Sequence, residues 1–205
     1  MGGTFTSVGP VTGGGAVLNA TDGQIQLPSP HVSGVVECAV PDGGGGWYAG
    51  GTFVDVDDSP RRGLVHILTN GQLDPAFDPQ VEGAVYSIVM SLNAIYVGGS
   101  FGSIGGQPRA NLGAISRVTG APLPFAPRVG EFGSVRAMVL EGGTLYCAGQ
   151  FDSLGGQARA NIGAVSTATG AATSWNPGAD GTVNVLASGA GVMYAGGLFG
   201  TLGGQ

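Results

Sequence analysis

Most of the chain repeats one stretch of sequence, which runs from Tyr96 to Pro127 and reads YVGGSFGSIGGQPRANLGAISRVTGAPLPFAP. This repeat is the main evidence for the fold. It returns from Tyr146 as YCAGQFDSLGGQARANIGAVSTATGAATSWNP and, more loosely, from Tyr48 as YAGGTFVDVDDSPRRGLVHILTNGQLDPAFDP. The chain opens on MGGTFTSVGP and closes on YAGGLFGTLGGQ, so we expect both termini to cut a repeat. Internal repetition of this kind predicts a single array of equivalent units over residues 1–205.

The spacing of the units points to the architecture. One phenylalanine follows the glycine-rich pair in each copy, and these residues lie 48, 48, 50 and 48 positions apart: Phe5, Phe53, Phe101, Phe151 and Phe199. A period of 48–50 residues is compatible with the four-stranded blades of a β-propeller.

Each unit contains four predicted strands. The first, at 85–90 in the central copy, is apolar on both faces, which is typical of a strand covered from both sides. The second carries Gly98 and Gly99, which indicate close backbone approach or a bulge. The third, at 110–118, leads into a two-residue turn, and a short fourth strand ends at an aromatic-x-Pro sequence. The sequence therefore predicts an all-β fold, a β-propeller of antiparallel four-stranded blades with about four blade equivalents.

These motifs resemble those of the bacterial delta-60-type repeat β-propeller family, and the match covers nearly the whole chain. It rests on apolar-x-Gly-Gly-x-Phe, Arg-x-Asn-Leu/Ile and Leu-Asp-x-x-Phe-x-Pro. The matching positions are Gly98, Gly99, Phe101, Arg109, Asn111, Leu112, Leu73, Asp74, Phe77, Pro79, Gly149, Phe151, Arg159, Asn161 and Ile162. The first repeat departs from the pattern, with Thr12 and Gly14 in place of Arg109 and Asn111. The resemblance implies a secreted or cell-surface protein.

Charge and hydropathy limit the kinds of partner. All seven basic residues are arginine, they are spread along the chain, and the net charge is -6. Because binding to phosphate backbones relies on clustered positive charge, we expect no nucleic-acid partner. No run of about 18 apolar residues is present, so we expect no membrane insertion. Cys38 and Cys147 stand at different repeat positions, which predicts two free core thiols rather than a disulfide or a metal site.

Three carboxylates form the weak candidate for a metal site. Asp55, Asp57 and Asp58 follow Phe53, and alternating carboxylates can ligate Ca²⁺ through oxygen. Because the ligand set is incomplete, we favour a solvated acidic loop over a calcium site and expect no cofactor. Calcium is the one cofactor for which the sequence offers ligands. The two histidines, His31 and His66, fall in different strands of different repeats, and we expect both to be isolated.

Arginine recurs at one place in three successive repeats, at Arg61, Arg109 and Arg159. A guanidinium there could line a binding surface, or it could bridge a blade boundary to carbonyl groups or to an acid such as Asp74. A contact needed in every repeat favours the structural role. We assign the same structural role to the repeated glycines and phenylalanines: Gly98, Gly99, Phe53, Phe101, Phe151 and Phe199.

No catalytic constellation emerges from the sequence. We therefore expect a non-enzymatic binding or scaffold module that mediates adhesion or recognises a protein or glycan surface. The alternative is a carbohydrate-active hydrolase with a site at the central channel, where Glu37 on an innermost strand is the candidate acid. Such an enzyme needs two carboxylates, and the aligned residues of the other repeats are uncharged: Ser87, Ala137 and Val185.

The ends of the chain are complementary. Residues 182–199 supply a first and second strand and residues 16–27 a third and fourth, while the segments 2–10 and 196–205 duplicate one another. Three assemblies are consistent with this: a closed four-bladed ring, an eight-bladed homodimer that exchanges ends, and an excerpt of a larger propeller. We rank the excerpt first because the repeat is cut at nearly the same place at both ends.

Overall fold

The computed structural model describes residues 13–26, 28–130 and 132–204. Within these ranges all regular structure is β, and every ladder between strands is antiparallel. The same ranges hold no helix long and apolar enough to cross a membrane. The all-β class predicted from the repeat is therefore confirmed. The strands are β1 (Val32–Pro41), β2 (Trp47–Val56), β3 (Ser59–Pro60), β4 (Leu64–Ile67), β5 (Val81–Met90), β6 (Ala94–Ile104), β7 (Gln107–Pro108), β8 (Leu112–Ser116), β9 (Ser134–Glu141), β10 (Thr144–Gln150), β11 (Ser153–Leu154), β12 (Gln157–Ala158), β13 (Ile162–Ser166), β14 (Thr182–Gly189) and β15 (Val192–Leu198).

Three sheets share one topology. In the first sheet β2 lies between β1 and β4, in the second β6 lies between β5 and β8, and in the third β10 lies between β9 and β13. The short strands β3 and β7 fold back on the ends of β2 and β6, and β12 pairs with β11 in the same way. The hairpin β14–β15 forms a separate two-stranded sheet. The described residues thus contain three equivalent sheets and half of a fourth.

The predicted fourth strand is shorter than expected. In each complete unit it makes one antiparallel bridge to the third strand, joining Ile67 to Leu73, Ile115 to Pro122 and Val165 to Ala172. Only a few residues separate the turn glycine from the aromatic-x-Pro sequence, and a proline such as Pro122 offers no amide proton to a ladder. Each complete unit is therefore three strands and one bridge rather than four full strands.

The sheets are stacked in chain order. Strand β5 contacts β1 and β2, β9 contacts β5 and β6, and β14 contacts β9 and β10. The first glycine of each glycine pair leaves room for the next sheet: a Cβ at Gly50 would lie 2.6 Å from Val85 Cγ1, and one at Gly98 would lie 2.7 Å from Val135 Cγ1. Ala148 takes this place in the third sheet and is fully buried. The core consequently lies between successive sheets, where burial of apolar side chains stabilises the stack.

A repeated asparagine fixes the start of the third strand. Asn111 and Asn161 have positive φ angles of 66° and 64°, and Gly63 takes the same place with a φ of 70°. The Oδ1 atom of Asn111 accepts a hydrogen bond from the Phe101 amide at 3.0 Å, and that of Asn161 accepts one from the Phe151 amide at 3.1 Å. Asparagine enters the left-handed region more readily than most residues. The Arg-x-Asn sequence therefore combines a backbone conformation with a hydrogen bond to the second strand.

The N-terminal described segment lies against the first sheet. Residues 15–18 border a cavity of about 320 Å³ together with Val36 and Val65 of that sheet. Leu18 makes a single antiparallel bridge to Ile25.

Strand β15 pairs only with β14 among the described residues, so the pairing of β15 with residues 16–26 that a closed four-bladed ring would require does not occur there. The segment 2–10, with Phe5, lies outside the described residues, as do Thr12 and Leu27.

Candidate functional site

A β-bulge interrupts the first strand of all four described hairpins at the same place. The register between the first and second strands skips one residue in each case, for example between Val36 and Cys38. A bulge turns a side chain out of the ladder and is frequent beside binding sites. The residues left unpaired are Glu37, Tyr86, Arg136 and Asn184.

The second glycine of each pair makes this bulge possible. A Cβ at Gly51, Gly99 or Gly149 would collide with a carbonyl oxygen of the first strand, because the two backbones approach closely there. The same holds for Gly197 in the fourth hairpin. Only glycine fits such an approach. The glycine pair therefore has two functions, since its first member receives the next sheet and its second member accommodates the bulge.

The four bulge side chains converge on one cavity of about 460 Å³, which we call the bulge cavity. The Nη1 atom of Arg136 donates a hydrogen bond to Asn184 Oδ1 at 3.3 Å. Among the described residues, neither Glu37 nor Arg136 has an ion-pair partner within 4.0 Å. The bulge cavity thus presents a carboxylate, a phenol, a guanidinium and an amide, with no net charge.

The bulge position is where the repeat is broken. The residue before it is valine in every copy, and glycine stands three positions before it: Val36, Val85, Val135 and Val183, and Gly34, Gly83, Gly133 and Gly181. The bulge residue differs from copy to copy and is an acid, an aromatic residue, a base and an amide in chain order: Glu37, Tyr86, Arg136 and Asn184. Repeated residues therefore build the bulge, while the varied residue brings different chemistry to it.

The alignment of Glu37 with Ser87, Ala137 and Val185 was wrong by one residue. These three are the counterparts of Cys38, because all four face the first glycine or its alanine replacement across the ladder. Two adjacent valines such as Val35 and Val36 allow the first strands of two repeats to be aligned in two registers. Because a bulge residue is unpaired, the alternation of apolar and polar residues does not show which register is correct. The glycine three positions earlier sets the register. An alignment on this glycine places Tyr86, Arg136 and Asn184 at the same repeat position as Glu37.

His66 is not isolated, contrary to expectation. Its Nδ1 lies 2.9 Å from Asp74 Oδ2, its Nε2 lies 3.1 Å from Asp42 Oδ2, and the Tyr48 ring stacks on it with centroids 4.3 Å apart. A neutral imidazole carries one N–H, so both contacts are hydrogen bonds only when both ring nitrogens are protonated. The pairing of β2 with β4 places Tyr48 opposite His66, and a backbone hydrogen bond from the Asp74 amide to the His66 carbonyl oxygen brings Asp74 to the same ring.

Asp42 also joins the first sheet to the second. Burial opposes its ionisation, but hydrogen bonds from the Gly44 amide and the His66 ring, with one from the Gly46 amide, hold the pKa of Asp42 below its ordinary value. Arg117 of the second sheet donates to the Asp42 carbonyl oxygen. The Tyr48 hydroxyl donates to the Arg117 carbonyl oxygen at 2.9 Å. Through these contacts Asp42, Arg117 and Tyr48 join the two sheets.

The recurring arginines contact backbone carbonyl groups. Each donates through Nη1 to the carbonyl oxygen of the preceding residue, at 2.9, 2.8 and 2.7 Å for Arg61, Arg109 and Arg159. In the second and third copies Nη2 also donates to a carbonyl fourteen residues later, at 2.9 and 2.6 Å. Arg61 instead lies 3.5 Å from Asp78. These acceptors belong to the same repeat, so the expected bridge across a boundary between repeats, or to Asp74, is not observed.

The three candidate calcium ligands form part of a turn. Asp57 and Asp58 have positive φ angles of 50° and 58° between β2 and β3. Asp57 Oδ1 accepts a hydrogen bond from the His31 amide at 2.7 Å, and Asp55 Oδ1 accepts one from the Asp58 amide at 3.2 Å. Over the described ranges no three His, Cys, Asp or Glu side chains are arranged to hold a metal ion. Asp55 stabilises the turn and Asp57 joins it to His31, and calcium stays the weaker of the two interpretations.

The tyrosines of the second strand pack within their own repeats. Three of them contact the aromatic residue of the aromatic-x-Pro sequence, with centroids 5.0–5.2 Å apart: Tyr48 with Phe77, Tyr96 with Phe125 and Tyr146 with Trp175. Tyr194 of the fourth hairpin is 68% exposed. The first three therefore serve packing, while Tyr194 lies on an open sheet.

A second cavity, of about 820 Å³, lies beside Phe132, a residue that is 94% exposed. Three of its polar side chains are engaged within the repeat. Arg159 donates to carbonyl groups, Asn161 accepts from a backbone amide, and Asp152 accepts from the Ser153 hydroxyl at 2.9 Å. The bulge cavity is lined by one side chain from each of the four hairpins and is the better candidate for a binding site.

Both cysteines are free thiols. Cys147 is fully buried, and Cys38 is partly buried against the core between the first two sheets. Burial raises the pKa of the Cys38 thiol to about 12 and also raises the pKa of Cys147. A thiol in this state is a poor nucleophile and metal ligand.

Comparison with known proteins adds no assignment: neither a protein-family model nor a curated protein matches the chain. The residues and their geometry therefore carry the functional argument.

Proposed function

We propose that the stacked sheets are blades of a β-propeller and that the chain is a non-enzymatic binding module. Sheets of one topology, a period of 48–50 residues and stacking in chain order support the propeller. The resemblance to the delta-60-type repeat family points to the same architecture. In such a ring the first strands are innermost, and the bulge cavity lies at the central channel.

One observation is the main support for a binding function. The same bulge occurs in four successive repeats, and its four unlike polar side chains line one cavity: Glu37, Tyr86, Arg136 and Asn184. A residue that serves packing in every repeat tends to be the same in every repeat, as the valine before the bulge is. Variation at a position held by repeated structure favours contact with a ligand.

The alternative, a carbohydrate-active hydrolase, lacks a second acid. Hydrolysis of a glycosidic bond by the usual mechanism uses two carboxyl groups that flank the scissile bond. Glu37 is the only carboxylate among the four residues that line the bulge cavity. The geometry therefore favours binding without turnover.

We place this module on a bacterial surface or outside the cell, where it recognises a protein or glycan surface. The resemblance supports the location, and the negative net charge disfavours polyanionic partners. The open face of β14–β15, with Tyr194 and Leu198 exposed, supports a further blade there, from a second copy or from a larger propeller. Native mass spectrometry distinguishes a dimer from a monomer.

Binding to arrays of glycans and peptides tests the proposal. The chain is expected to bind a subset of probes without altering them, and Glu37→Gln or Arg136→Gln is expected to weaken that binding. Arg128→Gln is the matched control, because Arg128 is exposed and lies outside the bulge cavity. Release of sugar from a bound glycan that is lost in Glu37→Gln would instead establish the hydrolase.

A further inference from the structure

The bulge cavity holds two opposite charges that do not neutralise each other. Glu37 belongs to the first sheet and Arg136 to the third, and the second sheet lies between them. Neither side chain forms an ion pair in the described residues, although both line the same cavity. A ligand that carries one charge would satisfy one of these groups and face repulsion from the other.

We propose that the bulge cavity binds a small zwitterion, such as a free amino acid or a short peptide, an inference that rests on the binding function proposed above. The carboxylate of Glu37 accepts hydrogen bonds from the ligand ammonium group. The guanidinium of Arg136 donates to the ligand carboxylate, for which its planar fork is suited. Both charges of the ligand and both charges of the cavity are then paired.

The two uncharged residues fit the same ligand. Asn184 accepts a hydrogen bond from Arg136 through Oδ1, which orients the guanidinium and leaves the Asn184 amide protons available. Tyr86, from the sheet between the two charges, adds a phenol that can donate or accept. The ligand main chain offers partners for both, because a peptide group contains one donor and one acceptor.

The size of the bulge cavity agrees with this class of ligand. About 460 Å³ lies within the range of roughly 300–1,000 Å³ that is typical of small-molecule sites. The cavity is too polar for an apolar ligand, because its four lining residues are all polar or phenolic. A dipeptide, with charged ends and a polar middle, matches both its size and its chemistry.

Titration calorimetry with L-alanyl-L-alanine tests the proposal, with the N-acetyl and C-terminal amide forms of the same dipeptide as comparison probes. Because a hydrogen bond to a charged group is strong, each block is expected to weaken binding about tenfold to a hundredfold. In Glu37→Gln, the N-acetylated dipeptide is expected to bind as tightly as the free dipeptide. In Arg136→Gln, the C-terminal amide is expected to bind as tightly as the free dipeptide. Arg128→Gln should behave as the wild type does.

Two further outcomes separate this inference from the function on which it rests. Equal binding of blocked and unblocked probes, or no binding of any, would overturn the zwitterion site. If Glu37→Gln or Arg136→Gln then still abolished binding to a glycan, the binding module would stand with another ligand. Cleavage of the dipeptide would overturn the non-enzymatic function itself. Thermal melting of both variants shows that the fold is intact, which is expected because Glu37 and Arg136 are exposed.

Discussion

Two substitutions at Asn111 separate the hydrogen bond of the repeated asparagine from its backbone conformation. Asn111 is 5% exposed, has a φ of 66°, and accepts a hydrogen bond from the Phe101 amide at 3.0 Å. Asn111→Gly keeps the left-handed conformation and removes the acceptor. Asn111→Ala removes the acceptor and places a Cβ in a conformation that alanine disfavours. The difference between the two variants therefore reports the cost of the conformation, less the extra freedom that glycine has in the unfolded chain.

The magnitudes follow from these two costs. A buried amide without a partner costs about 1–3 kcal/mol, so Asn111→Gly should lower the free energy of unfolding by roughly that amount. The left-handed conformation costs a further 1–2 kcal/mol or so for a residue with a Cβ. Asn111→Ala should thus lose about 2–5 kcal/mol in all.

Urea unfolding followed by circular dichroism gives both values, with Asn93→Ala as control because Asn93 is exposed. The control is expected to change stability by less than about 0.5 kcal/mol. Equal losses in the glycine and alanine variants would refute the conformational part of the reasoning. Unchanged stability in both would refute the hydrogen bond.

Three other predictions concern stability and thiol reactivity. Arg109→Ala should lower the free energy of unfolding by about 1–3 kcal/mol, because two carbonyl groups lose their donor, while Arg128→Ala should have little effect; unchanged melting together with lost ligand binding would argue for a recognition role instead. The pKa of Asp42 is lowered in the folded state, so the ionised carboxylate contributes stability above its ordinary pKa of 3.8, and this stability is lost as the pH falls through the lowered value. Thermal melts between pH 2 and about pH 6 should therefore show a smaller fall in melting temperature on acidification for Asp42→Asn than for the wild type. Cys147 should react with a disulfide reagent only after unfolding, and Cys38 should react far more slowly than an exposed thiol because its pKa is raised to about 12; rapid labelling of either in the native protein would contradict the packing described.

The sequence was sufficient to predict the strands of each unit but not their registers. The positions of the strands follow from turn glycines and apolar runs, which are features of neighbouring residues. The first, second and third strands of each unit therefore lie close to the predicted residues. The fourth is reduced to a bridge because only a few residues separate the turn glycine from the aromatic-x-Pro sequence. A bulge inserts a residue without a local signature of its own, and this is why Glu37 was aligned one residue out of place.

The chemistry of the candidate site depends on contacts between repeats, which spacing within one repeat does not reveal. Within the first repeat, too, the contacts of His66 come from strand pairing and turns: β2 pairs with β4 beside Asp42, and the turn after β4 returns Asp74 to His66. Arg136 and Asn184 meet because two sheets stack. By contrast, the calcium hypothesis used acids that are adjacent in sequence, where turn geometry engages their oxygens with backbone amides.

A crystal structure of the protein soaked with L-alanyl-L-alanine would report the arrangement of the sheets and the occupant of the bulge cavity together. We expect four sheets around one axis, with Glu37, Tyr86, Arg136 and Asn184 facing it and dipeptide density between the carboxylate and the guanidinium. Bulge side chains that face separate regions of solvent, or a shared cavity that stays free of dipeptide at saturating concentration, would contradict the account.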